Sequence, residues 1–257
     1  MSELATILSL HAHPDDTEAF CAGVLGLLKE KGHRIVIATM TAGGLGGINS
    51  TEEDTIAMRR VEAQKAAELL GAEYHCLEGR DGFLFDNTEM RLRTQSLLRK
   101  VKPDVVITHL PNDYHSDHRT TCSIVEAACM VTTLPNVPVD EEVLERTPLL
   151  YHSAPLGLSD VLGRRDLEPH FFVDITSQLQ LKMDMLSLHH SQRELMRVMH
   201  GMEDFFEEMR AMHEELGSRV GVPYAECFWQ HLGGGFSKEP YLQNQLSDNI
   251  ASVMETK

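Results

Sequence analysis

The chain has 257 residues, 42% of them hydrophobic, which suits one large α/β domain able to bury a sizeable core. Lys and Arg number 23 against 39 Asp and Glu, and the net charge of −16 argues against a nucleic-acid or anionic-membrane partner. Five cysteines (Cys21, Cys76, Cys122, Cys129, Cys227) form no CxxC pair, which predicts a reducing, cytoplasmic setting. No basic segment followed by a long apolar run opens the chain, and no apolar run nears the ~20 residues of a membrane span.

Ala5 to Leu10 reads as a buried strand, and Phe20 to Lys31 as a helix stopped by Gly32. Arg34 to Thr39, rich in β-branched residues, is a second strand. Residues 41–53 are loose, with glycines at 43, 44, 46 and 47. The stretch fails the GxGxxG pattern, because Asn49 stands where the third glycine belongs, and it reads as a loop near the site or on the surface. Thr51 to Asp54 starts a helix running to Leu70 and ended by Gly71. Glu73 to Leu77 is a third strand. Asp86-Asn87-Thr88-Glu89 caps a helix to Lys102, and Val105 to Thr108 is a fourth strand. This β-α-β-α-β-α-β order predicts a Rossmann-like, mostly parallel twisted sheet with helices on both faces. Further on come a helix over 120–131, strands over 149–152 and 171–174, a long helix over 176–200, a helix over 203–216 and a last strand or edge over 224–232. Residues 1–232 are expected to form one domain, and 233–257, opened by three glycines, a polar tail or arm.

Two polar clusters carry the chemistry. His11-Ala12-His13-Pro14-Asp15-Asp16-Thr17-Glu18 crowds imidazoles and carboxylates at the end of the first strand. Two readings stand: a water-activating divalent metal site, or a helix-capping loop with Asp15 or Asp16 as the cap. In strand order 3-2-1-4 the sheet's switch point lies between strands 1 and 4, so a partner cluster belongs just after strand 4. There the chain reads His109-Leu110-Pro111-Asn112-Asp113-Tyr114-His115-Ser116-Asp117-His118.

The pair of patterns, A-H-P-D-D-x-E and D-x-H-x-D-H, resembles the PIG-L/LmbE-like family of zinc-dependent de-N-acetylases acting on N-acetylglucosamine-bearing molecules. Arg59-Arg60-Val61-Glu62, Lys182 followed by His189-His190-Ser191-Gln192, and Gly221 to Phe228 resemble further family segments, so the likeness spans about residues 4 to 230. Within the family it is to the bacillithiol-pathway deacetylase type, an oligomeric bacterial enzyme, which implies a homo-oligomer. The resemblance implies His13, Asp16 and His118 as zinc ligands, with Fe2+ or cobalt able to use the same donors. It implies Asp15 as general base and a protonated His115 stabilising the oxyanion. Asp117 would hydrogen-bond His115 and keep it oriented and protonated, and Arg59, or Arg60 beside it, would bind a sugar hydroxyl or an acidic aglycone group. These roles imply a bell-shaped pH dependence of kcat/KM. His11 is expected in the core or behind the ligands, Asp113 in an Asx turn with a possible role behind a ligand, and Glu18 as loop support. His189 and His190 are left outside the site. The run Met196, Met199, Met202, Met209, Met212 reads as helix core or subunit contact rather than as ligands. The implied partner is a soluble N-acetylated amino sugar. Against this stand an H-x-H-x-D-H metallohydrolase of β-rich fold and an amidohydrolase barrel, both disfavoured by the strand–helix alternation and the strand count. A metal-containing binding protein without activity is a third alternative.

Overall fold

A computed structural model describes residues 4–165, 168–201 and 204–253. Five strands run parallel in the order β3-β2-β1-β4-β5: β1 (Thr6–His11), β2 (Arg34–Thr41), β3 (Glu73–Gly79), β4 (Val105–Thr108) and β5 (Leu149–Ser153). β7 (Ala225–Gln230), β6 (Phe171–Asp174) and β8 (Ile250–Val253) continue the sheet antiparallel. The predicted mixed, mostly parallel α/β sheet is therefore observed, with β1 between β2 and β4 at its switch point.

The central strands are apolar on both faces because both are covered. On one side Ile7, Ile35, Ile37 and Ile107 pack with α2 (Ala22–Glu30) and α3 (Glu52–Leu70). On the other, Leu8, Val36, Ala38 and Val106 pack with α4 (Thr88–Val101) and α5 (Ser116–Val131). Phe172, Ala225 and Cys227 of the antiparallel half pack against α8 (Phe205–Val220), which contributes Met209 and Met212 to the core. Met196 instead lines a cavity, Met202 lies outside the described residues, and so does the side chain of Met199. Among the described residues no helix is long and apolar enough to cross a membrane.

Four expectations need correction. The helix expected over Phe20 to Lys31 is α2, and a separate short helix, α1 (Asp16–Phe20), precedes it across a break at Cys21. Glu226 fills the gap, accepting the Gly23 and Val24 N–H groups at 2.9 and 2.8 Å, while Lys182 Nζ caps the Ala19 carbonyl at 2.8 Å. The helix expected over 176–200 is a 3-10 turn (Thr176–Gln178), α6 (Leu179–Ser187) and α7 (His190–His200). Its break has the same kind of cause: the Glu62 carboxylate accepts from Ser191 N at 3.0 Å and Ser191 Oγ at 2.6 Å. α5 begins at Ser116 rather than 120, which puts Asp117 and His118 in its first turn. Finally, the segment after 232 does not extend as an arm. Phe236, Leu242 and Leu246 are buried, α9 (Tyr241–Gln245) packs on the body, and β8 pairs with β6. Its leucines supply the driving force that a polar reading of the stretch overlooked.

Candidate metal centre

The β1–α1 and β4–α5 junctions meet at the carboxyl edge of the sheet, around a cavity of about 250 Å³. His13, Asp15, Asp16, Arg59, His115 and His118 all line it. Asp117 lies alongside, 3.5 Å from the His13 ring. The Asp16 carboxylate stands between two imidazoles, Oδ2 at 3.3 Å from His13 Nδ1 and Oδ1 at 3.4 Å from His118 Nε2. Burial pushes the Asp16 carboxyl up, but His118 and His109 outweigh it and hold it well below the usual carboxylate range.

The histidines differ in what their second nitrogen does. His118 Nδ1 bonds Asp113 Oδ1 at 3.0 Å, which leaves Nε2 facing Asp16. Asp113 Oδ1 also accepts from His115 N at 2.9 Å, so Asp113 makes the Asx turn and holds a ring as well. His109 Nε2, near Asp16 at 3.3 Å, already accepts the Ala12 N–H at 2.9 Å, so this nitrogen is spent on the backbone. His11 is fully buried, with Nδ1 on Ser9 Oγ (2.9 Å) and Nε2 on Ser153 Oγ (3.0 Å). Burial pushes its pKa down to about 3 and keeps it neutral.

Burial also opposes protonation of His13 and His118. Asp117, Asp16 and Asp81 outweigh it at His13, which is raised well above its ordinary value; Asp16 and Asp113 raise His118 to about 9. The carboxylates around these rings outnumber the cations, which favours their protonated forms. A divalent ion would displace those protons, and the ring–carboxylate pairs match the usual surroundings of metal-binding histidines. Among the described residues, three groups bring ligand atoms within 4.8 Å of one another: His13/His115/His118, Asp16/His109/His118 and His13/Asp81/Asp117. The expected ligands His13, Asp16 and His118 are thus spread over overlapping groups.

Asp15 does not cap α1. Its backbone is left-handed (φ 102°) and its side chain makes no capping bond. A non-glycine residue held there is strained, a feature that concentrates at functional sites. Burial, partly offset by Arg59, pushes its carboxyl up to about 6. Arg59 is the inward arginine: it is buried, with Nη1 on Gly43 O at 3.0 Å and Nη2 on Pro14 O and, at 3.3 Å, on Asp15 Oδ1. Its buried Nε has no partner. Arg60 is half exposed and pairs with Glu78. The guanidinium also explains the glycine-rich loop, since a Cβ on Gly43 (φ +68°) would stand 2.0 Å from Arg59 Nη1. The loop is built for close approach to an arginine, not to a phosphate.

The roles expected of Asp117 and His115 need revision. Asp117 does not hold His115 through its carboxylate; its backbone N–H donates to His115 Nδ1 at 3.2 Å. The carboxylate accepts from Gly82 N at 2.7 Å and faces His13. The helix start at Ser116 sets both directions. With Nδ1 an acceptor, neutral His115 carries its proton on Nε2. Burial, reinforced by His118 and His13, pushes its pKa down to about 4, so an imidazolium is not sustained.

Three residues escaped the sequence reading. His189 is buried, Nε2 3.4 Å from Glu18 Oε1. His109 backs Asp16. Asp81, which reaches His13 Nε2 at 3.2 Å, lies just past β3, on the edge where β1, β2 and β4 also end. That shared edge was the available signal.

Residues 8–129 match the family model described as PIG-L, GlcNAc-PI de-N-acetylase. The chain is 27% identical over 197 residues to the diacetylchitobiose deacetylase of Thermococcus kodakarensis, covering 74% of this chain and 71% of that one. It is 25% identical over 178 residues to the 4-oxalmesaconate hydratase of Pseudomonas putida, covering 66% and 67%. It superposes on a conserved protein of Thermus thermophilus with a TM-score of 0.74 at 29% identity, covering 89% of this chain and 95% of that one. Over residues 8 to 129 the chain resembles the PIG-L/LmbE-like family.

Proposed function

We propose that the protein is a metal-dependent hydrolase that removes the acetyl group from an N-acetylglucosamine-type small glycoside or glycoconjugate. The observation that carries this reading is Asp15: a buried carboxyl on left-handed backbone, free of any capping role, lining the cavity beside Asp16. The likeness to diacetylchitobiose deacetylase supports amide chemistry on an N-acetylated sugar.

His13, Asp16 and His118 would hold the ion, zinc or, with the same donors, Fe2+. When bound, the ion supplies Lewis acidity toward the amide carbonyl and toward water. Asp15 takes the proton of the attacking water and delivers it to the departing amine, so that amide and water give acetate and free amine. Burial raises its carboxyl, the direction suited to a base that must also return the proton. His115 donates from Nε2 to the carbonyl oxygen as negative charge develops there. Asp117 fixes that ring through its backbone N–H. Arg59 holds the Asp15 loop and lines the cavity, where in this reading its guanidinium meets a substrate oxygen. The five free cysteines and the acidic surface suit a cytoplasmic enzyme acting on a soluble substrate; in this reading it is a homo-oligomer.

The likeness to a hydratase favours a second reading, in which the same base and ion add water to an unsaturated organic acid. A panel of N-acetylglucosaminides assayed for free amine, with an unsaturated dicarboxylate alongside and metal content measured in each sample, separates the two. Amine release lost in Asp15→Asn with metal retained supports the deacetylase. Hydration without amine release gives the second reading. Metal binding with neither activity retires the enzyme.

A further inference from the structure

The His13 ring is held between two sets of carboxylates. Nδ1 faces Asp16, the carboxylate it shares with His118. Nε2 faces away, 3.2 Å from Asp81 Oδ1 and 3.5 Å from Asp117 Oδ2. One ring N–H can serve one acceptor well, and Asp117 Oδ2 is already engaged by the Gly82 N–H at 2.7 Å. Asp81 is the nearer and better partner. Its other oxygen, Oδ2, accepts the Leu45 N–H at 2.9 Å. A single carboxylate therefore joins the ring of His13, after β1, to the glycine-rich loop after β2. The next residue, Gly82, joins the same turn to Asp117 at the start of α5. Gly82 is left-handed (φ +68°), and a Cβ there would stand 2.8 Å from Leu45 Cδ1, so the turn and the loop are fitted closely to each other.

We propose that Asp81 is a positioning residue with two linked tasks: it fixes the tautomer and orientation of His13, and it ties the 43–47 loop to that ring. The inference rests on the reading of His13 as a metal ligand. A histidine whose outer N–H is given to a carboxylate presents its inner nitrogen as a stronger, preoriented donor, and loss of such a partner typically weakens metal binding about 10–100-fold. The second task has its own consequence. Removing the acceptor of the Leu45 N–H loosens the loop that also encloses Arg59.

The test uses the full chain stripped of metal, titrated with zinc alone, in wild type, Asp81→Asn and Asp81→Ala. Hydrogen exchange at residues 43–47 and thermal unfolding of the metal-free proteins are followed in parallel. The expected result is a graded loss of zinc affinity on the order of 10-fold for D81N and 100-fold for D81A. Exchange at Leu45 accelerates in D81A while the metal-free unfolding midpoints stay together. Zinc affinity within twofold of wild type in both variants overturns the inference and leaves the hydrolase reading standing. A loss of affinity that merely follows a lowered unfolding midpoint overturns it too, because the role is then structural. If wild type itself binds no zinc, the metal reading falls and takes this inference with it.

Discussion

Two of the places where the molecule buries charge are built differently. Behind α1, Lys182 Nζ, fully buried, bonds Glu226 Oε1 at 2.7 Å and the Ala19 carbonyl at 2.8 Å. Glu226 in turn takes the two N–H groups that open α2. Charge there is balanced, one ammonium against one carboxylate. At the carboxyl edge of β1 and β4, Asp15, Asp16, Asp81, Asp113 and Asp117 surround His13 and His118 beside a cavity, and two of those rings balance the excess only by holding protons. A closed cluster of this kind fixes the chain, whereas an open one is completed by something from outside. The first keeps α1 and α2 apart so that the second can form at the start of α1.

The largest expected effect breaks function in the open cluster alone. Asp15→Asn should lower the deacetylation rate by roughly 10²–10⁴-fold, the usual range for a positioned base, and leave metal content and unfolding midpoint unchanged. His115→Ala should cost somewhat less, about 10²–10³-fold, as for a lost oxyanion donor. A pH series of kcat/KM sharpens the contrast between these two residues. Asp15 must be ionised, so the rate falls as pH drops through its pKa of about 6, or lower once a cation sits beside it. His115, pushed down to about 4, is neutral throughout the working range and contributes no basic limb, so the bell shape implied by an imidazolium is replaced by a single acid limb. An unchanged rate in H115A contradicts its role.

The closed cluster should respond the other way. Lys182→Met leaves the Glu226 carboxylate buried without its cation and should cost about 3–5 kcal/mol in denaturant unfolding, with metal stoichiometry of the folded fraction unchanged. The double variant with Glu226→Gln should recover part of that loss. The smallest effect concerns acid stability. His152 and His213 are buried away from the cavity as neutral rings, the first pushed down to about 4 and the second well below 6.5, in both cases first by burial. Unfolding lets them take up protons below about 6.5, so stability is complete above that pH and declines as pH falls toward 4. The slope is up to about 1.4 kcal/mol per pH unit for each ring, measurable by denaturant unfolding at pH 7 and pH 5.

The parallel half of the fold was legible because its signals are local: β-branched runs, the Thr51 and Asn87 caps and the Gly71 stop all sit within their own elements. The meeting of His13 and Asp16 with His118 followed from topology, since a β1 strand between β2 and β4 leaves one edge for both clusters. The breaks at Cys21 and His189 were not legible. Their causes, Glu226 with Lys182 in one case and Glu62 in the other, arrive from more than a hundred residues away. The segments Arg59–Glu62, Lys182, His189–Gln192 and Gly221–Phe228 were each recognisable, but that Glu62 bonds Ser191 and Lys182 bonds Glu226 is three-dimensional information. Asp117 was assigned to the wrong ring because a helix start four residues early turns its carboxylate toward His13.

The central claim is that the open cluster holds a metal ion and that Asp15 is the base beside it. The most direct test is free-amine release from an N-acetylglucosaminide by wild type and Asp15→Asn, with bound metal counted in the same samples. The account predicts one bound divalent ion in both proteins and amine release in wild type alone. Equal amine release by both proteins, or loss of the ion together with the carboxylate, contradicts it.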